Sequence, residues 1–192
     1  MNATHPWPAS ELILGGQKSG KSRRAEMLAR QWMQQCSTHK AVLIATAQAW
    51  DDEMRKRIAR HQRERSERVP GMHTVEEPRA LAEAITHTSQ ADTLVVVDYL
   101  TLWLTHWLMP MHPQDPVVPP VVPVDALLAS IARAPGPLVI VGNEIGLGVI
   151  PMGAETRAFV DTLGRLNQDV AAACARVTFM AAGLPLTLKG TP

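Results

Sequence analysis

The chain has 192 residues, with 19 Lys plus Arg against 18 Asp plus Glu and a formal charge of +1. Hydrophobic residues make up 46% and charged residues 19%, which suits one folded domain with a sizeable core and excludes wholesale disorder. A charge this near zero also excludes a protein that works through a basic surface, such as a non-specific DNA coat.

The N-terminal stretch from Met1 to Ser10 carries Pro6 and Pro8 and no apolar run, so it does not read as a signal peptide. The two cysteines, Cys36 and Cys174, are too few and too far apart for a disulfide framework or a zinc site. They fit a reducing compartment, and a cytoplasmic location is expected. Glu11 to Leu14 reads as a short strand, broken by Gly15, Gly16 and Gly20. Lys21 to Gln35 reads as a helix, with Ala25, Leu28, Ala29 and Trp32 at i, i+3, i+4, i+7 spacing. Ala41 to Thr46 is a second strand. Asp51 opens a charged helix that runs to about Glu67, with Asp52 and Glu53 in its first turn, where the macrodipole favours carboxylates. Pro78 is expected at the first position of a helix ending near Thr88.

Thr93 to Asp98 is a continuous apolar strand closed by a carboxylate, the pattern of a strand buried on both faces of a parallel sheet. Leu100 to Leu108 reads as helical. The run from Leu94 to Met109 is the most membrane-like in the chain. It contains Asp98 and His106 and falls short of the roughly 20 apolar residues that a span needs. Six prolines, Pro110, Pro113, Pro116, Pro119, Pro120 and Pro123, then exclude helix and central strand, so residues 110–123 read as an extended loop. Val124 to Ala134 is a helix, Pro137 to Gly142 a strand, Glu155 to Cys174 a helix, and Arg176 to Met180 and Pro185 to Leu188 are closing strands. Strands alternating with helices give an α/β fold, a largely parallel sheet with helices on both faces, in a single domain.

Residues 15–22, Gly15, Gly16, Gln17, Lys18, Ser19, Gly20, Lys21 and Ser22, match G-x-x-x-x-G-K-[ST] without a mismatch, between a strand and a helix. The glycines let the backbone wrap phosphates so that successive N–H groups point at oxygens, and the helix N-terminus adds positive potential. Lys21 then reaches the β- and γ-phosphates, and the Ser22 hydroxyl is a ligand for Mg²⁺. Asp98, at the carboxyl end of its strand, is placed either to hold Mg²⁺ or its water, or to cap the next helix. These features describe a P-loop nucleotide protein, with a small-molecule kinase, a GTPase and a RecA-like module all open.

The helix from Asp51 carries Arg57, His61 and Arg65 at i, i+4, i+8, on one face with Met54 and Ile58 beside them. Flanking guanidiniums disfavour the protonated imidazole, and a neutral imidazole is a nucleophile. The same arginines can hold phosphates against it. The competing reading is a solvated charged face. His5, His39, His73, His87, His106 and His112 lack such surroundings and read as structural or surface residues. Asn143 to Pro151, Asn-Glu-Ile-Gly-Leu-Gly-Val-Ile-Pro, follows a strand directly, and its glycines suit close backbone approach to a ligand.

Taken together, the segments resemble the bifunctional cobalamin-biosynthesis enzymes, adenosylcobinamide kinase/adenosylcobinamide-phosphate guanylyltransferase. The resemblance rests on Gly15 to Arg23 with Ala25-Glu26, on Ile44 to Gln48, and on Asp52 to Met54. It continues with Arg57-Ile58 and His61, Glu76 to Pro78, and Val97-Asp98 with Leu100 to Leu104. Asn143 to Pro151, Gly164 with Asn167-Gln168, and Gly183 to Leu186 complete it. Val160 stands where the family often has Arg, and Val149-Ile150 reverses its more usual Ile-Val. The resemblance implies a RecA-like sheet, a homotrimer and two reactions. In one, ATP or GTP phosphorylates adenosylcobinamide. In the other, GMP passes from GTP to adenosylcobinamide phosphate through a guanylyl-histidine at the position of His61. It further implies that Ile44, Ala45, Thr46, Gln62, Arg63, Glu64, Arg65, Glu76 and Asp98 contact the guanine nucleotide. A plain P-loop kinase of another small metabolite, and a nucleotide-dependent regulatory protein, are the alternatives. A DNA-acting module is disfavoured by the charge and by the lack of an aromatic-studded basic stretch.

Overall fold

The computed structural model describes residues 7–49, 52–109 and 121–191, apart from the side chains of Met54 and Arg57. Along the chain run β1 (Ser10–Gly15), α1 (Lys21–Gln35), β2 (Lys40–Ala45), α2 (Asp52–Arg68), β3 (His73–Glu76), α3 (Leu81–Thr88) and β4 (Thr93–Asp98). Then come α4 (Leu100–Leu108), α5 (Val124–Arg133), β5 (Leu138–Val141), α6 (Ala154–Ala173), β6 (Arg176–Ala181) and β7 (Leu184–Lys189). The strands form one seven-stranded sheet in the order β3-β2-β4-β5-β1-β6-β7. Every neighbouring pair is parallel except β6 and β7, which form an antiparallel hairpin.

The continuous apolar strands divide their side chains between two cores. Leu12, Leu14, Val95, Val97, Leu138 and Ile140 face one side, where Leu81, Ile85, Trp103, Leu104, Leu127, Ile131 and Leu166 cover them from α3, α4, α5 and α6. Ile13, Leu94, Val96, Val139 and Val141 face the other, where Ala25, Ala29 and Trp32 of α1 and Val69 after α2 cover them. Successive side chains of a strand point to opposite faces, so a strand buried on both sides cannot alternate apolar with polar. Among the described residues no helix is long and apolar enough to cross a membrane.

Two elements depart from the sequence expectation. β3 was not expected. It has four residues, His-Thr-Val-Glu, lies at the sheet edge and is only half-buried, so it carries no apolar run to betray it. α3 starts at Leu81 rather than at Pro78. The Glu77 carboxylate accepts the N–H groups of Arg79 (2.9 Å) and Ala80 (2.7 Å), which turns the chain before the helix begins. α2 is described from Asp52, so the Asp51 start lies outside the described residues. Of the proline-rich loop, residues 110–120 also lie outside them, as do His5 and His112, while Val121 to Pro123 lead into α5.

Glu11 anchors the foot of the phosphate-loop strand. Its carboxylate is 1% exposed. It accepts from Arg24 Nη2 at 3.0 Å and Thr178 Oγ1 at 2.7 Å, and it lies 3.6 Å from Arg176 Nη1. A buried carboxylate is tolerable when its lone pairs are met this fully. The cluster ties α1 to β1 and β6.

Candidate active site

The loop between β1 and α1 has the backbone that the glycine pattern demands. Gly15 has φ +150° and Gly20 +100°, and Lys18 is left-handed at +56° without being glycine. Strain of this kind persists where the surroundings over-determine the backbone, as at ligand-binding loops. A Cβ on Gly15 would lie 2.4 Å from the Met180 carbonyl oxygen, so the loop could not pass β6 with any larger residue. The Ser19 carbonyl accepts the Gly183 N–H at 3.0 Å. Gly183 (φ +80°) and Ala182 (φ +51°) form the two-residue turn of the β6–β7 hairpin, the twist such tight hairpins require. The hairpin therefore buttresses the phosphate loop, which no sequence motif states, though Gly183 belongs to the segment that carries the resemblance.

Lys21 is buried, and its Nζ donates to the Gly16 carbonyl at 2.6 Å. Burial holds its ammonium below the usual lysine value, and the charge of Asp98 works against that. Ser22 Oγ donates to Asp98 Oδ1 at 3.2 Å. Asp98 ends β4, two strands from β1 with β5 between, so only the sheet order brings hydroxyl and carboxylate together. Burial pushes the Asp98 carboxyl above the ordinary carboxylate value, opposed by the Ser22 hydrogen bond and by the charges of Arg65, His61 and Lys21. Tyr99, not Asp98, is the N-cap residue of α4, and no side chain caps that helix. The capping reading of Asp98 falls away.

A hydroxyl and a carboxylate converging beside a phosphate loop are a hard-oxygen donor pair that fits Mg²⁺. Among the described residues no group of three or more His, Cys, Asp or Glu is arranged to hold a metal. Ser19 Oγ is buried inside the loop without a hydrogen-bond partner, an unmet donor in the cradle.

The floor beside the loop comes from β2. Ile44 and Thr46 are wholly buried, and Ala45 is half-buried. Thr46 Oγ1 donates to the Tyr99 carbonyl at 2.8 Å and accepts the Tyr99 N–H at 3.0 Å, clasping the chain beside the cis Asp98–Tyr99 peptide bond. His106 Nε2 lies 2.9 Å from the Thr46 carbonyl, which makes His106 a structural histidine, as expected. Glu76 is exposed at the end of β3, in register with Ala45.

α2 presents His61, Gln62, Arg63 and Glu64 to solvent and buries Arg65, which is 9% exposed. Arg68 Nε, at the end of α2, lies 2.8 Å from Glu26 Oε2 of α1, so the histidine helix sits beside the phosphate-loop helix, and the charge of Arg65 acts on Asp98. Of the face formed by Arg57, His61 and Arg65, the solvated reading fails for Arg65, while His61 is exposed like Gln62 to Glu64. Arg57, the other flank proposed for His61, has its side chain outside the described residues.

Asn143 and Glu144 follow β5 after Gly142. The Glu144 N–H donates to the Gly15 carbonyl at 3.1 Å, and Asn167 Nδ2 donates to the Asn143 carbonyl at 3.0 Å. The Asn143 loop is thereby pinned against the phosphate loop by α6. This is a role for Asn167 that spacing in the sequence could not show.

The family model described as "Cobinamide kinase / cobinamide phosphate guanyltransferase" matches residues 11–188. The chain belongs to this family. The bifunctional adenosylcobalamin biosynthesis protein CobP of Pseudomonas aeruginosa is 46% identical over 186 residues, 95% of this chain and 98% of its own length. The corresponding protein CobU of Escherichia coli is 33% identical over 187 residues, 93% of this chain and 98% of its own length. Among solved structures, the flagellar accessory protein FlaH of Methanocaldococcus jannaschii superposes with a TM-score of 0.53 at 12% identity, covering 96% of this chain and 80% of that one. That likeness bears on the fold alone, a RecA-like P-loop α/β sheet. The cobinamide kinase/guanylyltransferase family thus accounts for nearly the whole chain, the phosphate loop at its start and the Gly183 turn near its end included.

Proposed function

We propose that the protein catalyses both reactions of its family at the edge where the phosphate loop meets α2. The observation that carries this reading is the convergence of Lys21, Ser22 and Asp98 at the phosphate loop, with the His61 helix held beside it where Arg68 Nε lies 2.8 Å from Glu26 Oε2. In the kinase step the hydroxyl oxygen of adenosylcobinamide attacks the γ-phosphorus of ATP or GTP. An O–P bond forms, the bond to the β-phosphate bridging oxygen breaks, and the hydroxyl proton passes to solvent. The backbone of residues 15–20 and Lys21 bind the phosphates and meet the charge that moves onto the leaving diphosphate. Ser22 and Asp98 would hold Mg²⁺, whose positive charge neutralises phosphate oxygens when bound.

In the transfer step the His61 imidazole attacks the α-phosphorus of GTP, forming a P–N bond as the bond to pyrophosphate breaks. An oxygen of adenosylcobinamide phosphate then attacks the same phosphorus, and the P–N bond breaks to give adenosylcobinamide-GDP. Exposed Gln62, Arg63, Glu64 and Glu76 and half-buried Ala45 are the groups available to touch the guanine nucleotide. Buried Ile44 and Thr46 shape the floor beneath it, and Arg65 lends charge from within. The same reading takes the chain as one nucleotide-binding unit, acting in the cytoplasm as a homotrimer. The exposed leucines Leu184, Leu186 and Leu188 on one face of β7 support it as surface available for burial.

Labelling with GTP radioactive at the α-phosphate tests the transfer step. Wild type should acquire label that is acid-labile and alkali-stable, as a phosphorus–nitrogen bond is, and His61→Ala should not. Wild type that never labels with Mg²⁺ and GTP present overturns guanylyl transfer and leaves a P-loop kinase of a small metabolite.

A further inference from the structure

The helix that carries His61 has almost no apolar anchor. Its sequence from Asp52 to Arg68 is mostly charged, Arg65 is its one buried described side chain, and Val69 just beyond it reaches the core. A helix that is polar on nearly all faces needs some other contact to fix where it sits. Here that contact is Glu26, one turn and a half down α1 from Lys21. The Glu26 side chain is 9% exposed, and Arg68 Nε lies 2.8 Å from its Oε2, at an angle outside hydrogen-bond geometry. Arg68 Nη2 also donates to Glu64 Oε2 at 3.3 Å. The charge of Arg65 acts on Glu26 as well as on Asp98. Burial pushes the Glu26 carboxyl above the ordinary range, and Arg68 and Arg65 pull it back, in that order.

We infer that Glu26 is a positioning residue for guanylyl transfer: through Arg68 it docks the His61 helix on the phosphate-loop helix. This rests on the transfer reaction proposed above. α1 and α2 each leave the same edge of a parallel sheet, so they run in the same direction. Glu26 lies five residues below Lys21, about 7.5 Å, and Arg68 seven below His61, about 10 Å, at 1.5 Å per residue. Joining Glu26 to Arg68 therefore brings His61 to within about one helical turn of the level of Lys21. His61, Arg65 and Arg68 stand at i, i+4 and i+7, one stripe of the helix. An ångström of misplacement between nucleophile and phosphorus can cost roughly 100-fold in rate. The kinase step uses the phosphate loop without His61, so the two activities report separately on the docking.

The test compares wild type with Glu26→Gln, Arg68→Ala, the double variant of these two, and Arg68→Lys. Two rates are followed, labelling of His61 from α-labelled GTP at saturating nucleotide and phosphorylation of adenosylcobinamide, with thermal unfolding as a check of folding. Glu26→Gln and Arg68→Ala should each slow labelling about tenfold or more, with the kinase rate within about twofold of wild type. The double variant should be no slower than the worse single one, and Arg68→Lys, which keeps the charge, should recover part of the loss. Labelling at the wild-type rate in either single variant overturns the inference, and so does an equal fall in both activities, which marks a merely structural pair. Should Glu26→Gln fail to fold, half-exposed Arg68→Ala decides alone. Wild type that phosphorylates but never labels overturns the transfer reading itself, and the inference with it.

Discussion

Replacing Gly15 by alanine puts a number on how tightly the phosphate loop is built into the sheet. Gly15 ends β1 in register with Met180 of β6, and its φ is +150°. An added Cβ would stand 2.4 Å from the Met180 carbonyl oxygen and 2.7 Å from Ser19 Oγ. The first obstacle is backbone in a paired strand, which cannot retreat by most of an ångström without loosening the β1–β6 ladder. Backbone strain of about 1–3 kcal/mol and overpacking of a further ~1–3 kcal/mol give roughly 2–6 kcal/mol of destabilisation. For a domain of this size each kcal/mol shifts the midpoint by about 2–4 °C, so unfolding should come roughly 5–20 °C earlier. Gly16→Ala is the control. A Cβ there meets nothing within 4 Å, and its φ is not positive. It should leave the midpoint unchanged or slightly higher, because alanine narrows the unfolded ensemble. Both are measured by thermal unfolding without nucleotide, since a ligand that binds the native state would mask the difference. A Gly15→Ala midpoint within about 2 °C of wild type, less than the shift from one kcal/mol, would refute the packing argument.

Glu11→Ala leaves Arg24 and Arg176 facing a hole, and removing one member of a buried charge cluster costs about 3–5 kcal/mol. Urea unfolding should show it, and a loss below about 1 kcal/mol would mean the cluster is solvated like a surface pair. Asp98→Ala should lower both nucleotide-dependent rates about 10- to 100-fold with little change in thermal midpoint, and unaltered Mg²⁺-dependent turnover would remove Asp98 from the metal site. Burial pushes the Cys174 thiol up to about 11 from 9.0. The native state thus holds this proton more tightly than the unfolded chain does. The contribution is full below pH 9 and is lost as pH rises towards 11, at most about 2–3 kcal/mol. Urea titrations across that range should show the decline, and Cys174→Ala should flatten it. The exposed thiol of Cys36, lowered mainly by its hydrogen bond with Thr38, should be the one alkylated in the native protein, so a native-state mass shift at Cys174 would count against its burial.

Much was legible in the chain itself because it depends on local chemistry. The glycine spacing of residues 15–22 between a strand and a helix fixed the phosphate loop, and the unbroken Leu-Val-Val-Val run before Asp98 announced a strand buried on both faces. The segment matches in family order went further, to the family and its two reactions, and they single out His61 as the proposed nucleophile. What the local pattern could not carry was anything set by pairing at a distance. β3 has too few residues and too exposed an edge to show a period, and α3 begins three residues late because the Glu77 carboxylate, not Pro78, shapes the turn. Ser22 and Asp98 are 76 positions apart and meet only because β5 is laid between β1 and β4. The Gly183 turn serves the site through a backbone hydrogen bond and Asn167 through its side-chain amide donating to a backbone carbonyl, partners that no spacing reveals. The same holds for α2: its sequence shows a charged helix with a histidine, but only the tertiary structure sets which of its arginines is buried and against which carboxylate. Periodicity reports which side of an element is apolar. The order of strands and the packing of helices, settled by the whole chain at once, decide what that side faces.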